Sequence, residues 1–193
     1  MIVMWNKLLQ YLGNEYAVAG IMGNLEAESG LKSSNVQNSY ENKLGMNDVQ
    51  YTQAVNNKTY SRNQFYNDRA GYGFAQWTHW SRKQKLYDFI FNNGYNDISS
   101  VDGQIDFIYK ELKETYTGLL KQLVNAKSVK EASDAFCKCY ENPANQSEAN
   151  LQKRADKGMK WYEKYHSTGQ IIVNYQNEMQ QIYECLKRMG FKQ

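Results

Sequence analysis

Apolar residues recur every three or four positions along most of the chain, which is the spacing of amphipathic helices. The first two segments of this kind cover residues 5–12 and 18–25. Gly13 is expected to end the first helix, since glycine readily adopts the left-handed conformation of a helix end. Asn14 is expected to cap the second helix, which should end near Gly30.

Further helices are predicted in the second half of the chain. They are expected to begin at Ser81, Ser99 and Ser128, and then to cover residues 147–165 and 171–189. Ser99 with Asp102 loosely resembles a capping box, and Ser128 with Glu131 is a clearer one. Pro143 fits a break between helices, because proline cannot donate a backbone hydrogen bond.

The helical period disappears between residue 32 and about residue 70, where Asn, Tyr, Thr and Gln dominate. Residues 56–58 (Asn-Asn-Lys) lie between two Tyr- and Thr-containing segments, a pattern typical of a small hairpin or an irregular lobe. We therefore expect an α+β fold that is predominantly α, with a small polar or β lobe between the second helix and residue 71. One domain is expected over residues 1–166, and residues 167–193 should form a further helix or a link to another module.

Composition and charge exclude several classes of function. The net charge of +3 comes from scattered basic residues, so no nucleic-acid partner is expected. No apolar run reaches the roughly 18 residues that a membrane span needs, and the opening MIVMWNKLLQ predicts no signal peptide. Three cysteines and two histidines give neither a paired disulfide set nor a zinc pattern. Sixteen tyrosines, four tryptophans and many asparagines suit sugar binding, although such rings also fill cores.

Two glutamates near the end of the predicted second helix are the first candidates for chemistry. Glu26 and Glu28 lie roughly 160° apart around a helix axis, so they cannot both face one cleft. Glu28 nearly eclipses Ile21 at the margin of the apolar face, which slightly favours it as the less solvated carboxyl group. Burial would raise the pKa of that group and keep the proton that a general acid needs. A solvated helical glutamate is the alternative.

The second candidate is the segment Gly71-Tyr72-Gly73-Phe74-Ala75-Gln76-Trp77. Alternate glycines allow a tight turn or a close approach to a ligand, and the Gln76 amide offers both donors and an acceptor. A glycine-rich bend that packs Phe74 and Trp77 into the core is the alternative interpretation.

Together these segments resemble a known family. GIMGNLEAESGL, NSYENKLGMNDVQYTQAV, AGYGFAQWTHWSRKQ, SVKEASDAFCKCYENPANQSEA and RADKGMKWYEKY are similar, in this order, to the phage tail lysozyme family. That family is a branch of the lysozyme-like superfamily, which includes the soluble lytic transglycosylases. The resemblance implies a lysozyme-like fold that acts on bacterial peptidoglycan without a metal or organic cofactor. It also implies that the protein belongs to a phage virion or is a phage lysis protein. Other phage tail or endolysin modules are then further partners.

The resemblance also implies roles for particular residues. The family's helix-ending Glu-Ser pair is matched by Glu28 and Ser29, which makes Glu28 the expected general acid. The G-x-x-Q cleft segment of the transglycosylases is similar to Gly73 through Gln76, so these two residues are expected to bind substrate, Gln76 by holding a sugar substituent. Trp77 or Tyr72 would stack on a sugar or form the apolar surface beside the acid. Packing in the core is the alternative for both residues.

The partner carboxylate is less well defined by the sequence. Glu41 is favoured over Asp48 and Asp68, because it lies in one of the matching segments. Cleavage between N-acetylmuramic acid and N-acetylglucosamine by hydrolysis is the first expectation, and lytic transglycosylation by Glu28 alone is the second. A wall-binding or structural tail module without turnover is a third. Residues 141–143 (Glu-Asn-Pro) predict either the edge of the cleft or an ordinary turn.

Overall fold

A computed structural model describes residues 1–166 of the chain. Its helices are α1 (Ile2–Leu12), α2 (Glu15–Ser29), α3 (Asn38–Leu44), α4 (Asp48–Asn56), α5 (Arg62–Asn67), α6 (Trp80–Asn92), α7 (Val101–Glu114), α8 (Thr117–Asn125), α9 (Val129–Phe136), the π-helical turn Cys137–Glu141, and α10 (148–166). Within these residues, pairing of extended backbone is limited to isolated bridges from Tyr72 to Val36 and to Trp77. The predominantly helical fold expected from the sequence is confirmed. The helix predicted over 171–189 lies outside the described residues, and the domain boundary expected after residue 166 stays a prediction.

Helix α2 lies at the centre of the fold. Ten of its fifteen residues are buried, so its apolar positions surround the helix instead of forming one stripe. The side chain of Asn14 accepts hydrogen bonds from the backbone N–H groups of Tyr16 and Ala17, and Gly30 ends the helix with a left-handed φ of 63°. The predicted limits of this helix are therefore confirmed.

Glycines allow two other helices to approach α2 closely. A Cβ atom added at Gly20 would lie 2.6 Å from the backbone nitrogen of Ser133 on α9. One added at Gly23 would lie 2.5 Å from both the carbonyl oxygen of Arg154 and the backbone nitrogen of Gly158 on α10. Since any larger residue would push these backbones apart, the glycines fix the side chain of Arg154 beside the end of α2.

The polar lobe is helical, so the expectation of a hairpin around residues 56–58 is wrong. Helix α4 begins with a capping box between Asn47 and Gln50, and α5 begins with one between Ser61 and Gln64. In each box, the capping side chain accepts the N–H of the glutamine, whose side chain accepts the N–H of the capping residue. These local bonds stabilise short helices that lack a long apolar stripe.

Two other helix starts differ from the sequence expectation. His79, and not Ser81, caps α6, because its ring nitrogen accepts the backbone N–H of Ser81. Ser100, and not Ser99, caps α7, while the predicted cap of α9 by Ser128 is confirmed. Helix α8 was not predicted. These shifts of one or two residues leave the order of the other helices unchanged.

A buried ion pair joins the lobe to the rest of the domain. Lys83 of α6 has no exposed surface and pairs with the carboxylate of Asp68. Its Nζ atom also donates to the carbonyl oxygen of Ala70 at 2.9 Å. Lys83 thereby fixes the start of the glycine-containing segment 71–77, which borders the cleft described next.

Candidate active site

A polar cleft extends along the carboxyl end of α2. One part, of about 490 Å³, is lined by Glu28, Ser29, Gly30, Asn35, Gln37, Asn38, Ser39 and Gln76. The other part, of about 440 Å³, is lined by Glu28, Gln37, Ala75, Gln76, Thr78, His79, Arg82, Glu141 and Pro143. Because Glu28, Gln37 and Gln76 line both parts, the two form one continuous surface with Glu28 at their junction.

Glu28 is held in this cleft by α10. Its side chain is 21% exposed, and its Oε1 atom accepts a hydrogen bond of 2.6 Å from Nη2 of Arg154. Arg154 is itself fixed, since its Nη1 atom donates to Oδ1 of Asn24 at 3.2 Å. Asn24 in turn donates to the carbonyl oxygens of Gly20 and Ser133. The carboxyl group therefore has a defined position with one oxygen occupied by the guanidinium.

Glu26 has a different environment. Its carboxylate accepts hydrogen bonds from Nζ of Lys157 at 2.6 Å and from Nε1 of Trp161 at 2.7 Å, and it lines neither part of the cleft. The two glutamates thus contact α10 at different positions, in agreement with their angular separation on the helix. Of the two, only Glu28 lines the cleft, although the Glu26 side chain is at least as exposed to solvent.

The segment from Gly71 to Trp77 contributes Ala75 and Gln76 to the lining of the cleft. Gly73 has a left-handed φ of 75°, and a Cβ atom added there would lie 2.6 Å from Oε1 of Gln104. Gln76 lines the cleft, and its amide nitrogen donates to Oδ1 of Asn35 at 2.9 Å and to the carbonyl oxygen of Gly73 at 3.0 Å. The amide nitrogen of Gln76 therefore donates within the wall, to Asn35 and Gly73.

Tyr72 and Trp77 are packed inside the domain. Neither has any exposed surface. The Tyr72 hydroxyl hydrogen-bonds with Oγ1 of Thr52 at 2.7 Å, and Nε1 of Trp77 donates to Oε2 of Glu111 at 3.1 Å. The structure therefore does not bring these rings to the cleft surface, and the packing alternative left open by the sequence fits both residues.

The carboxylates considered as partners of Glu28 lie elsewhere in the lobe. Glu41 lies half-buried on α3 and lines neither part of the cleft, so its catalytic role stays a prediction. Asp48 pairs with Lys32 and accepts the backbone N–H of Val36 at 2.7 Å. Asp68 is the buried partner of Lys83. Both aspartates therefore hold parts of the lobe together.

Glu141 is a carboxyl group in the cleft that the sequence reasoning did not select. After α9 the backbone widens into the π-helical turn, in which the N–H of Asn142 donates to the carbonyl oxygen of Cys137 at 2.8 Å. Asn142 then leaves the helix with a left-handed φ of 45°. This geometry places Glu141 and Pro143 at the edge of the cleft beside Arg82. Of the two interpretations given for residues 141–143, the cleft edge fits this position.

The environment of Glu141 disfavours its charged form. Its Oε1 atom is shielded from solvent and has no hydrogen-bond partner among residues 1–166. Burial raises the pKa of Glu141 well above its usual range, and the negative charge of Glu28 raises it further, while Arg82 and Arg154 oppose the shift. The cleft therefore contains two carboxyl groups in different environments: Glu28 accepts a hydrogen bond from Arg154, and the charged form of Glu141 is disfavoured by burial.

Arg82 brings a fixed positive charge to the same part of the cleft. It forms two hydrogen bonds to the buried carboxylate of Glu111, from Nε at 2.9 Å and from Nη2 at 2.8 Å. The hydroxyl of Tyr140 donates to Glu111 as well, at 2.5 Å. Such a two-point contact fixes the guanidinium plane and balances its charge within the protein.

Residues 1–166 contain no group of three or more His, Cys, Asp or Glu side chains arranged to hold a metal ion. None of the helices in this part of the chain is both long and apolar enough to cross a membrane.

A glutamate at the end of a buried helix, facing a polar cleft in a mainly helical domain, is the arrangement of a lysozyme-like enzyme. The model of a family described as phage tail lysozyme matches residues 2–165, and the chain therefore belongs to the phage tail lysozyme family. Membership indicates a phage-associated, glycosidase-type enzyme whose substrate is cell-wall peptidoglycan. Searches among curated proteins and among solved structures gave no match.

Proposed function

We propose that this protein is a muramidase that hydrolyses the β-1,4 bond between N-acetylmuramic acid and N-acetylglucosamine, with Glu28 as the general acid. The observation that carries the proposal is the position of Glu28 at the junction of the two parts of the cleft. It is the glutamate of α2 that lines the cleft, whereas Glu26 is bonded to Lys157 and Trp161 on α10. A phage-encoded enzyme of this kind would act from the virion or during lysis.

In the proposed reaction, the Glu28 carboxyl group transfers its proton to the glycosidic oxygen. The leaving sugar departs as a neutral alcohol, and positive charge develops at the anomeric carbon. Water then adds to that carbon and returns a proton to the site. Because Arg154 donates a hydrogen bond to Oε1 of Glu28, we assign the proton transfer to Oε2.

Amide groups and one exposed ring would bind the glycan strand. Asn35, Gln37 and Gln76 line the cleft near Glu28 and suit the hydroxyl and acetamido groups of the sugars. Trp80 follows His79 at the start of α6, is 55% exposed, and lines a separate cavity of about 560 Å³ with Asn63, Tyr66, Asn67 and Gln84. An exposed ring among amides suits stacking on a pyranose, so we assign Trp80 to an outer sugar contact.

Lytic transglycosylation is the second candidate, and the environment of Glu141 favours it. A hydrolase of this type usually needs a second, ionised carboxylate that activates water. The other carboxyl group in the cleft, Glu141, has a raised pKa, and in its neutral form it cannot accept a proton from water. The C6 hydroxyl of the substrate would then form a bond to the anomeric carbon instead of water, and its proton would pass to the ionised Glu28.

Clearing of purified Gram-positive cell walls, followed by mass spectrometry of the released fragments, tests these proposals. A muramidase gives reducing ends, and a transglycosylase gives 1,6-anhydro ends. Protein that sediments with the walls but releases no fragments would contradict both enzymatic proposals and support a binding or structural module.

A further inference from the structure

A second cavity lies between α5 and α6, outside the cleft that contains Glu28. It has a volume of about 560 Å³ and is lined by Arg62, Asn63, Tyr66, Asn67, Trp80 and Gln84. Its size falls within the roughly 300–1,000 Å³ that is typical of ligand sites in proteins. These six residues differ from those that line the cleft, so this cavity, the α5–α6 pocket, is a separate place where a ligand can bind.

Two aromatic side chains supply the apolar surface of the α5–α6 pocket. Trp80 is exposed, so much of its ring is open to a ligand. Tyr66 packs edge-on against Tyr87, with the ring centroids 5.9 Å apart, and against the buried Phe65. The Tyr66 hydroxyl also donates to Oδ1 of Asp88 at 3.0 Å. The Tyr66 ring is therefore held in place before a ligand binds, and such preorganisation lowers the entropy that binding costs.

The charge of the α5–α6 pocket is balanced within the protein. Among the six described residues that line it, only Arg62 is charged. The Nη2 atom of Arg62 donates to the carboxylate of Asp88 at 2.7 Å, and its Nε atom donates to the Tyr66 hydroxyl. Because the guanidinium already has a carboxylate partner, the pocket favours a neutral polar ligand over an acidic peptide or a phosphate group.

Amide side chains supply the polar groups of the α5–α6 pocket. The Nδ2 atom of Asn67 donates to the carbonyl oxygen of Asn63 at 2.8 Å and to its Oδ1 atom at 2.9 Å, which keeps these two side chains together on α5. Gln84 is half-buried and lines the pocket from α6. An amide both donates and accepts hydrogen bonds, as the hydroxyl and acetamido groups of sugars require. An exposed indole ring beside these amides therefore suits an N-acetylated sugar.

The pocket and the cleft adjoin at the start of α6. His79 lines the cleft, and the next residue, Trp80, lines the pocket. The centroids of these two rings are 5.7 Å apart. His79 also caps α6, because its side chain accepts the backbone N–H of Ser81, and this bond fixes the point at which Trp80 enters the helix. A glycan strand that leaves the cleft at His79 would therefore meet Trp80 next.

We infer that the α5–α6 pocket is a distal subsite for an N-acetylated sugar of the same glycan strand that occupies the cleft. The inference rests on the proposed function, and it extends the sugar contact of Trp80 to a complete site. A strand long enough to fill both the cleft and the pocket gains the contacts of both, whereas a short fragment gains only those of the cleft. The protein therefore binds long glycan strands in preference to short fragments.

Calorimetric titration of Glu28→Gln with chitobiose and with chitohexaose tests the inference, because this variant should leave the oligosaccharides intact. Chitohexaose should bind more tightly than chitobiose. Adding Trp80→Ala or Gln84→Ala should weaken the binding of chitohexaose about two- to tenfold and leave that of chitobiose unchanged. Lys85→Ala, at an exposed position of α6 that does not line the pocket, is the matched control and should change neither affinity.

Three results would overturn the inference. An equal loss of affinity for the two oligosaccharides would show that the pocket does not extend the cleft. No loss for either of them, or no binding of either, would show that the pocket is not a sugar subsite. A loss confined to the binding of intact cell walls would assign the pocket to the peptide stem. If the walls are never cleared but Trp80 and Gln84 contribute only to chitohexaose binding, the proposed hydrolysis fails while the distal subsite stands.

Discussion

Replacement of Arg154 by methionine removes the guanidinium that holds Glu28. Methionine has a similar length and no charge, so the packing between α10 and α2 should change little. The loss includes the 2.6 Å bond to Glu28 and the 3.2 Å bond to Asn24. Glu28 would be left as a partly buried carboxylate without a cation.

The size of the effect follows from the burial of the pair. Removing one partner of a fully buried ion pair costs about 3–5 kcal/mol, because the other charge stays uncompensated. The Arg154 side chain is 8% exposed and that of Glu28 is 21% exposed, so some screening by water remains. The Nε atom of Arg154 also has no partner among residues 1–166, so its removal recovers a small part of the cost. We therefore expect a smaller loss in the free energy of unfolding, about 2–3 kcal/mol, which is at or below the lower end of that range.

Urea unfolding at pH 7 of the wild type, Arg154→Met, Glu28→Gln and the double variant measures this cost. A loss of about 2–3 kcal/mol corresponds to a melting temperature lower by roughly 4–12 °C for a domain of this size. In the double variant most of the loss should be recovered, since no unpaired carboxylate remains. An Arg154→Met variant within about 0.5 kcal/mol of the wild type would refute the view that this ion pair fixes the acid.

Three further predictions test other parts of the account. Burial raises the pKa of Glu141 in the folded protein above its ordinary value of 4.5. The contribution of this group to stability is therefore fully present below pH 4.5, and it is lost as the pH rises through the pKa of the folded state. The melting temperature of Glu141→Gln relative to the wild type should therefore be higher at pH 8 than at pH 5, and a constant difference would contradict this. Gly23→Ala should lose about 1–3 kcal/mol in urea unfolding, because its Cβ atom would lie 2.5 Å from the backbone nitrogen of Gly158, and an unchanged midpoint would show that the helices can separate freely. Trp80→Ala should weaken the binding of long glycans, measured by calorimetry, and leave the melting temperature unchanged. Trp77→Ala should lower the free energy of unfolding by about 3–5 kcal/mol. Equal destabilisation by the two variants would contradict the assignment of only Trp77 to the core.

Local signals were sufficient to predict the amino-terminal helices. Gly13, Asn14 and Gly30 act at helix ends through their own backbone or side-chain bonds, so their roles can be read without tertiary contacts. The separation of Glu26 from Glu28 also follows from helix geometry alone. The family resemblance from the sequence was confirmed, and with it the lysozyme-like class of the fold.

The lobe shows where the pattern of apolar residues was insufficient. Its helices α4 and α5 are short and polar, and their capping boxes use glutamine, whereas the boxes expected at Ser99 and Ser128 use aspartate and glutamate. The period of apolar residues carries little information over fewer than ten residues. The local signals for these helix starts are the N-x-x-Q and S-x-x-Q patterns.

The burial of individual tryptophans and the position of Glu141 depend on long-range packing, so the sequence did not predict them. Trp77 and Trp80 are three positions apart, yet one is completely buried and the other is 55% exposed, because only Trp77 faces α7. The π-helical turn after α9 places Glu141 in the same cleft as Glu28, and no short sequence motif predicts that the two residues lie in one cleft. A sequence predicts which side chains are available for chemistry, but their burial and their neighbours depend on the whole fold.

The central claim, that Glu28 is the acid, is tested most directly by comparing Glu28→Gln with Glu26→Gln in the clearing of purified cell walls. Both variants make the same chemical change on the same helix, and both remove an ion pair with α10. Loss of a general acid should lower the rate for Glu28→Gln by at least about 10²-fold, while Glu26→Gln should stay within a few-fold of the wild type. Equal rates for the two variants would contradict the account.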